Sequence, residues 1–95
     1  MSIALGQIVV SKAGRDAGKR FLVMKVVDGQ FVQIADGDLR RVEKPKKKKI
    51  KHLELTGEVA ETVGEKLKGN ARITNPEVRK ALAVHKGDSE KGSNL

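Results

Sequence analysis

The stretch Ala13-Gly14-Arg15-Asp16-Ala17-Gly18-Lys19-Arg20 sets glycines and cations at a spacing that bears on phosphate chemistry. A nucleoside-triphosphate phosphate loop needs four residues between its glycines, and Ser or Thr after the Lys to hold the metal ion. Here three residues separate Gly14 from Gly18, Arg20 follows Lys19, and the residues beyond favour strand over helix. That chemistry is excluded. The glycines suit a loop whose backbone turns sharply and approaches a partner closely. Arg15, Lys19 and Arg20 around it bring N–H groups and guanidinium forks that suit phosphate oxygens. The other loud signal is Lys44-Pro45-Lys46-Lys47-Lys48-Lys49, with Arg40-Arg41 before it and Lys51 beyond. Like charges in a row repel one another, and stay solvated or sit against an anion. The run therefore reads as a flexible, phosphate-contacting arm, with Pro45 favouring an extended approach.

Catalysis finds little to work with. His52 and His85 are the two histidines, one in a strand pattern and one near the polar end. Asp36 and Asp38 flank Gly37, which turn formation explains, and the Ca²⁺-loop spacing is absent. Without Cys, disulfides and thiolate metal sites are excluded. No nucleophile–base pair or metal-ligand cluster can be assembled, so neither an enzyme nor a cofactor is expected. Of the aromatics only Phe21 and Phe31 are present. Both lie in apolar runs and are expected in the core. Single-strand readers stack bases on exposed aromatics, so backbone-directed binding to structured nucleic acid is the expected mode.

The elements that position these residues are mostly strands. Gly6 to Ser11 and Arg20 to Val27 are β-branched or apolar runs. Asp28-Gly29 reads as a two-residue hairpin turn with positive φ. Phe31 to Ala35 follows, then Asp36-Gly37, a short strand Leu39-Arg40-Arg41-Val42, and the alternating Ile50 to Leu55. Five short strands in about 50 residues argue for a small antiparallel barrel. The expected core is Ile8, Val10, Leu22, Met24, Val26, Val32, Ile34, Leu53 and Leu55. From Thr56 the period changes. Val59, Val63 and Leu67 recur every four residues, a helix face weakened by Gly64 and ended by Gly69-Asn70. A second helix opens at Asn75-Pro76-Glu77, with Asn as cap, Pro at the first helical position and an acid where the dipole favours it. Val78, Ala81 and Leu82 form its apolar stripe. Neither helix is long enough to stand alone in water. Residues 85–95 are polar and rich in Gly and Ser, and are expected to be disordered.

Ninety-five residues allow one core, a small one at 38% hydrophobic residues. The formal charge of +8 is uneven. Residues 1–55 hold 13 basic and 6 acidic side chains, whereas residues 56–95 hold 7 and 6. A one-sign field on half of a small protein concentrates polyanions around that half. No apolar run approaches the roughly 18 residues of a membrane span. The first residues lack the basic and apolar stretches of a signal peptide, and a cytoplasmic protein is expected.

A hydrophobic strand, a loop of the form Gly-Arg-Asp-Ala-Gly-Lys and a second hydrophobic strand resemble the KOW signature of ribosomal and transcription-associated proteins, with Gly18 on its characteristic glycine. Leu5-Gly6-Gln7-Ile8-Val9, Ala13 to Gly18, Val26-Val27-Asp28 and His52-Leu53-Glu54 after a Lys-rich run are similar to the archaeal and eukaryotic large-subunit ribosomal KOW family of type fourteen-e. The resemblance covers about residues 4–55 and lapses from Thr56, where a near-neutral helical pair replaces that family's longer basic extensions. It implies an SH3-like barrel over 1–55; with the two short helices over 56–84 and the tail 85–95 read from the residue pattern, the expected fold is mainly β. The resemblance implies RNA binding tied to the translation machinery, through Gly14, Arg15, Gly18, Lys19, Arg20, Arg40, Arg41, Lys44, Lys46, Lys47, Lys48, Lys49 and Lys51. The expected partner is ribosomal or other structured RNA, with no membrane and no small-molecule substrate. KOW barrels also serve as protein-docking modules, so an adaptor for RNA polymerase or another protein partner is the alternative. The apolar stripes of 56–84, unplaced by sequence, leave room for such a protein contact.

Overall fold

Strand β1 (Gln7–Ser11) pairs antiparallel with β2 (Arg20–Val26) on one side and with β5 (Leu53–Val59) on the other. Beyond β2 lie β3 (Phe31–Ala35) and β4 (Lys46–Lys49), giving the sheet order β4-β3-β2-β1-β5. A computed structural model describes residues 3–86 of the chain. The sheet curls so that Val9, Phe21, Val23, Val32, Ile34 and Leu53 meet in one cluster. Leu53 of one edge strand thus packs near Val32, beside the other edge, as in an SH3-like barrel. Register shifts between Gln7 and Val9, and between Val23 and Lys25, supply the bend.

A second cluster lies on the outer face of the same strands. Ile8 and Leu22 pack there against Ala60, Val63, Ile73, Val78 and Leu82 of the helical segment. Strands β1 and β2 are thus apolar on both faces. Phe21 is buried as expected, but the aliphatic core residues expected on these strands are of one parity only and omit Val9 and Val23, which fill the barrel interior beside it. Val10, Met24 and Leu55 are half-buried, and Val26 is exposed at 39% near the end of its strand. Each large side chain buried this fully contributes about 1.5–3 kcal/mol.

The helices α1 (Glu61–Lys68) and α2 (Asn75–Lys86) therefore dock on the barrel, and their apolar stripes are spent in that contact. Gly64 does more than weaken α1. A Cβ there would sit 2.7 Å from the Leu5 carbonyl, and one on Gly6 would sit 2.9 Å from Gly64. Two glycines let the helix touch the start of β1. Gly69-Asn70 ends α1 as expected: Asn70 adopts φ 61°, its N–H bonds Leu67 O, and Ala71 N–H bonds Lys66 O.

Three local expectations need correction. The turn after β2 spans Val27 to Gln30, and neither Asp28 nor Gly29 has positive φ. Instead Asp28 Oδ1 accepts the N–H groups of Gln30 and Phe31. The last strand begins at Leu53 and runs to Val59, so Val59 lies in a strand and Ile50–His52 forms a 3-10 turn. The cap of α2 is Thr74, not Asn75. Glu77 N–H bonds Thr74 Oγ1 while Thr74 N–H bonds Glu77 Oε1, a reciprocal capping box. Asn75 uses its side chain to hold the loop before β4: Oδ1 accepts Val42 N–H, and Nδ2 donates to Glu43. Of the tail 85–95, His85 and Lys86 belong to α2, and residues 87–95 lie outside the described residues.

Candidate nucleic-acid interface

Between β1 and β2 the Gly-rich loop folds into a 3-10 turn, Gly14–Asp16. Gly14 (φ 78°) and Gly18 (φ 87°) occupy the left-handed region that favours glycine. Gly18 N–H bonds Ser11 O at 2.7 Å and Ser11 N–H bonds Lys19 O at 2.9 Å, so the strands zip the loop shut from below.

A second restraint comes from Asp16. Its carboxylate is buried at the loop and accepts Arg40 Nη2 at 3.2 Å and Lys46 Nζ at 3.5 Å. Burial alone would raise its pKa. The hydrogen bond from Arg40 and the charges of Arg40 and Lys46 outweigh that, and hold the carboxyl below its usual range. Lys48 Nζ adds a bond to Ala13 O at 3.3 Å. Loop, Arg40 segment and β4 are thereby tied together at one end of the barrel.

The basic run differs most from its sequence reading. Lys46–Lys49 is not a flexible arm but the edge strand β4, in register Ile34↔Lys46, Val32↔Lys48, Gln33↔Lys47 and Phe31↔Lys49. Leu39-Arg40-Arg41-Val42, expected as a strand, is a turn region. Alternation then divides the lysines. Lys46 and Lys48 share the face of Val32 and Ile34 and are half-buried, their stems covering the barrel end. Lys47 and Lys49 emerge on the opposite face, where Lys47 Nζ stands 4.6 Å from the Phe31 ring centre. A lysine-rich edge also discourages pairing with another chain.

The cations expected to make contact therefore fall into four groups. Arg15 and Lys19 are exposed on the clamped loop, and Arg41 and Lys44 on the segment between Arg40 and β4, with no side-chain hydrogen bond or ion pair among the described residues save the attraction of Arg41 for Glu43. Arg40, Lys46 and Lys48 hold the loop in place. Lys47, Lys49 and Lys51 lie elsewhere. Arg20 is turned to the helices: its Nη1 donates to Leu82 O at 2.9 Å and its Nη2 lies 4.0 Å from Glu58. Asp16 as clamp escaped sequence reading, and Phe31, expected in the core, is instead a half-buried ring on the outer face. The signal for the first was an acid set among three cations.

Among the described residues no group of three or more His, Asp or Glu is placed to hold a metal ion, and no helix is long and apolar enough to cross a membrane. The fold and the clamped glycine loop make a small SH3-like barrel with a basic end. No family model matches the chain. Over 55 residues it is 36% identical to the large ribosomal subunit protein eL14 of Desulfurococcus amylolyticus, covering 58% of this chain and 57% of that protein. The chain thus spans little more than half the length of that curated relative, and the resemblance to large-subunit ribosomal KOW proteins stands on that stretch.

Proposed function

We propose that the chain is a ribosome-associated RNA-binding protein of the cytoplasm, resting the clamped loop on the phosphate backbone of structured RNA. The observation that carries this is the Asp16 clamp. One acid neutralises part of the Arg40–Lys46 pair and stiffens the loop, while Arg15 and Lys19 on the loop, and Arg41 and Lys44 on the segment the clamp ties to it, stay exposed. Fixed, exposed cations beside glycine backbone suit a set of phosphate oxygens at defined spacing. The ribosomal name of the relative supports RNA as the polyanion. The helical stripes that favoured a protein adaptor pack largely on the barrel, which supports RNA over that alternative.

With about four or five phosphates neutralised, log K for an RNA hairpin should fall with log[salt] at a slope of about −4. Arg41→Ala and Lys44→Ala should each flatten the slope by about one unit. Retained affinity with a slope near zero would overturn the proposal.

A further inference from the structure

We propose that the outer face of β3 and β4 around Phe31 is a second nucleic-acid surface, taking unpaired nucleotides by stacking a base on that ring. It rests on the reading of the chain as RNA-binding, yet uses a different face from the loop. Phe31 and Gln33 alternate with the buried Val32 and Ile34, so the ring belongs to the outer side of the barrel. It is half-buried, and its face already receives a cation, Lys47 Nζ at 4.6 Å. Lys49 lies directly across from Phe31, and Lys25 pairs with Gln33 on the next strand. A cleft of about 500 Å³ lined by Gly29, Gln30, Lys49, Ile50 and Lys51 opens beside them. Asp28, at the border, is committed to the N–H groups of Gln30 and Phe31.

An aromatic face among exposed lysines is the combination that single-strand binders use: the ring stacks a base and the cations follow the backbone. A paired helix hides its base faces, so this surface selects unpaired segments. On binding, the base displaces the Lys47 ammonium from the ring, and that ammonium moves to a phosphate. A protein with one face for structured RNA and another for an unpaired stretch can bridge a hairpin and its flanking strand.

The chain has no Trp or Tyr, so Phe31→Trp supplies a sole strong fluorophore in a fold it should not disturb. A uridine oligonucleotide of about eight nucleotides should quench its emission. Phe31→Leu should weaken that oligonucleotide about tenfold and leave hairpin affinity within about twofold. The exposed pair Lys49→Glu and Lys51→Glu, which needs no repacking, should abolish oligonucleotide binding alone. Equal oligonucleotide affinity in wild type and Phe31→Leu overturns the proposal, as does a polyglutamate peptide that competes as well as RNA. If Arg41→Ala and Lys44→Ala leave hairpin binding intact while the Phe31 variants behave as stated, the loop reading fails and this one survives.

Discussion

Asp16 shows how a single acid in a basic motif serves the fold. Replacing it with Asn keeps the shape but leaves Arg40 and Lys46 facing each other without a counter-charge. The loss should be about 1–2 kcal/mol, since both partners are about a third exposed and water screens part of the attraction. Its carboxyl is held below the ordinary value of 3.8, as those of Asp28, Glu43 and Glu77 are held below theirs. In each case the native state binds fewer protons than the unfolded chain. The stabilisation is complete above the ordinary carboxylate range and is lost as pH falls through the lower folded values. Urea midpoints should therefore drop steeply below about pH 4, and Asp16→Asn should drop less over that window while being weaker at pH 7. Parallel pH curves for the two proteins would show that the carboxylate does not carry the clamp.

At the scale of elements, close approach decides what local propensity leaves open. In an exposed helix Gly→Ala stabilises by about 1 kcal/mol. Gly64→Ala should instead destabilise, because the new methyl meets the Leu5 carbonyl at 2.7 Å. Gly18 and Gly37 both have positive φ, but only the second is crowded: its Cβ would lie 2.5 Å from Asn75 O and 2.9 Å from Arg79 Cγ. Gly18→Ala should cost about 1 kcal/mol of backbone strain. Gly37→Ala should cost about 2–3 kcal/mol and loosen α2, read as faster amide exchange across that helix. Equal costs at the two glycines would mean that α2 yields freely. The same contact explains Arg79, whose Nη1 donates to Gly37 O at 2.6 Å.

For the whole molecule, the outer cluster means that barrel and helices stand or fall together. Ile8 and Leu22 are fully buried only because α1 and α2 cover them. We expect a chain ending at Ala60 to lose its cooperative transition and to aggregate, seen by circular dichroism and gel filtration. A truncated chain that melts cooperatively at an unchanged temperature would make the helices dispensable. Val32→Asp, inside the barrel, should unfold the full chain, because a buried unpaired carboxylate costs several kcal/mol against a small domain's margin.

Sequence by itself determined the first three strands, the loop between two of them and the glycine–asparagine stop of α1. These rest on local period and on residues that tolerate positive φ, and both can be read along the chain. The resemblance over residues 4–55 was legible for the same reason, since a loop motif is a local string. Only the tertiary structure decided that four consecutive lysines form a strand. Pairing with β3 comes from a distant segment, and long lysine stems can cover apolar surface while their charges reach out. It also decided that β1 and β2 are buried twice over, because an apolar run carries no record of what lies on each side. Asp16 and Phe31 belong with these: neighbours far along the chain made one a clamp and left the other facing out. Which cations are held in hydrogen bonds and ion pairs was settled in the same way, by what each could reach once the sheet had closed.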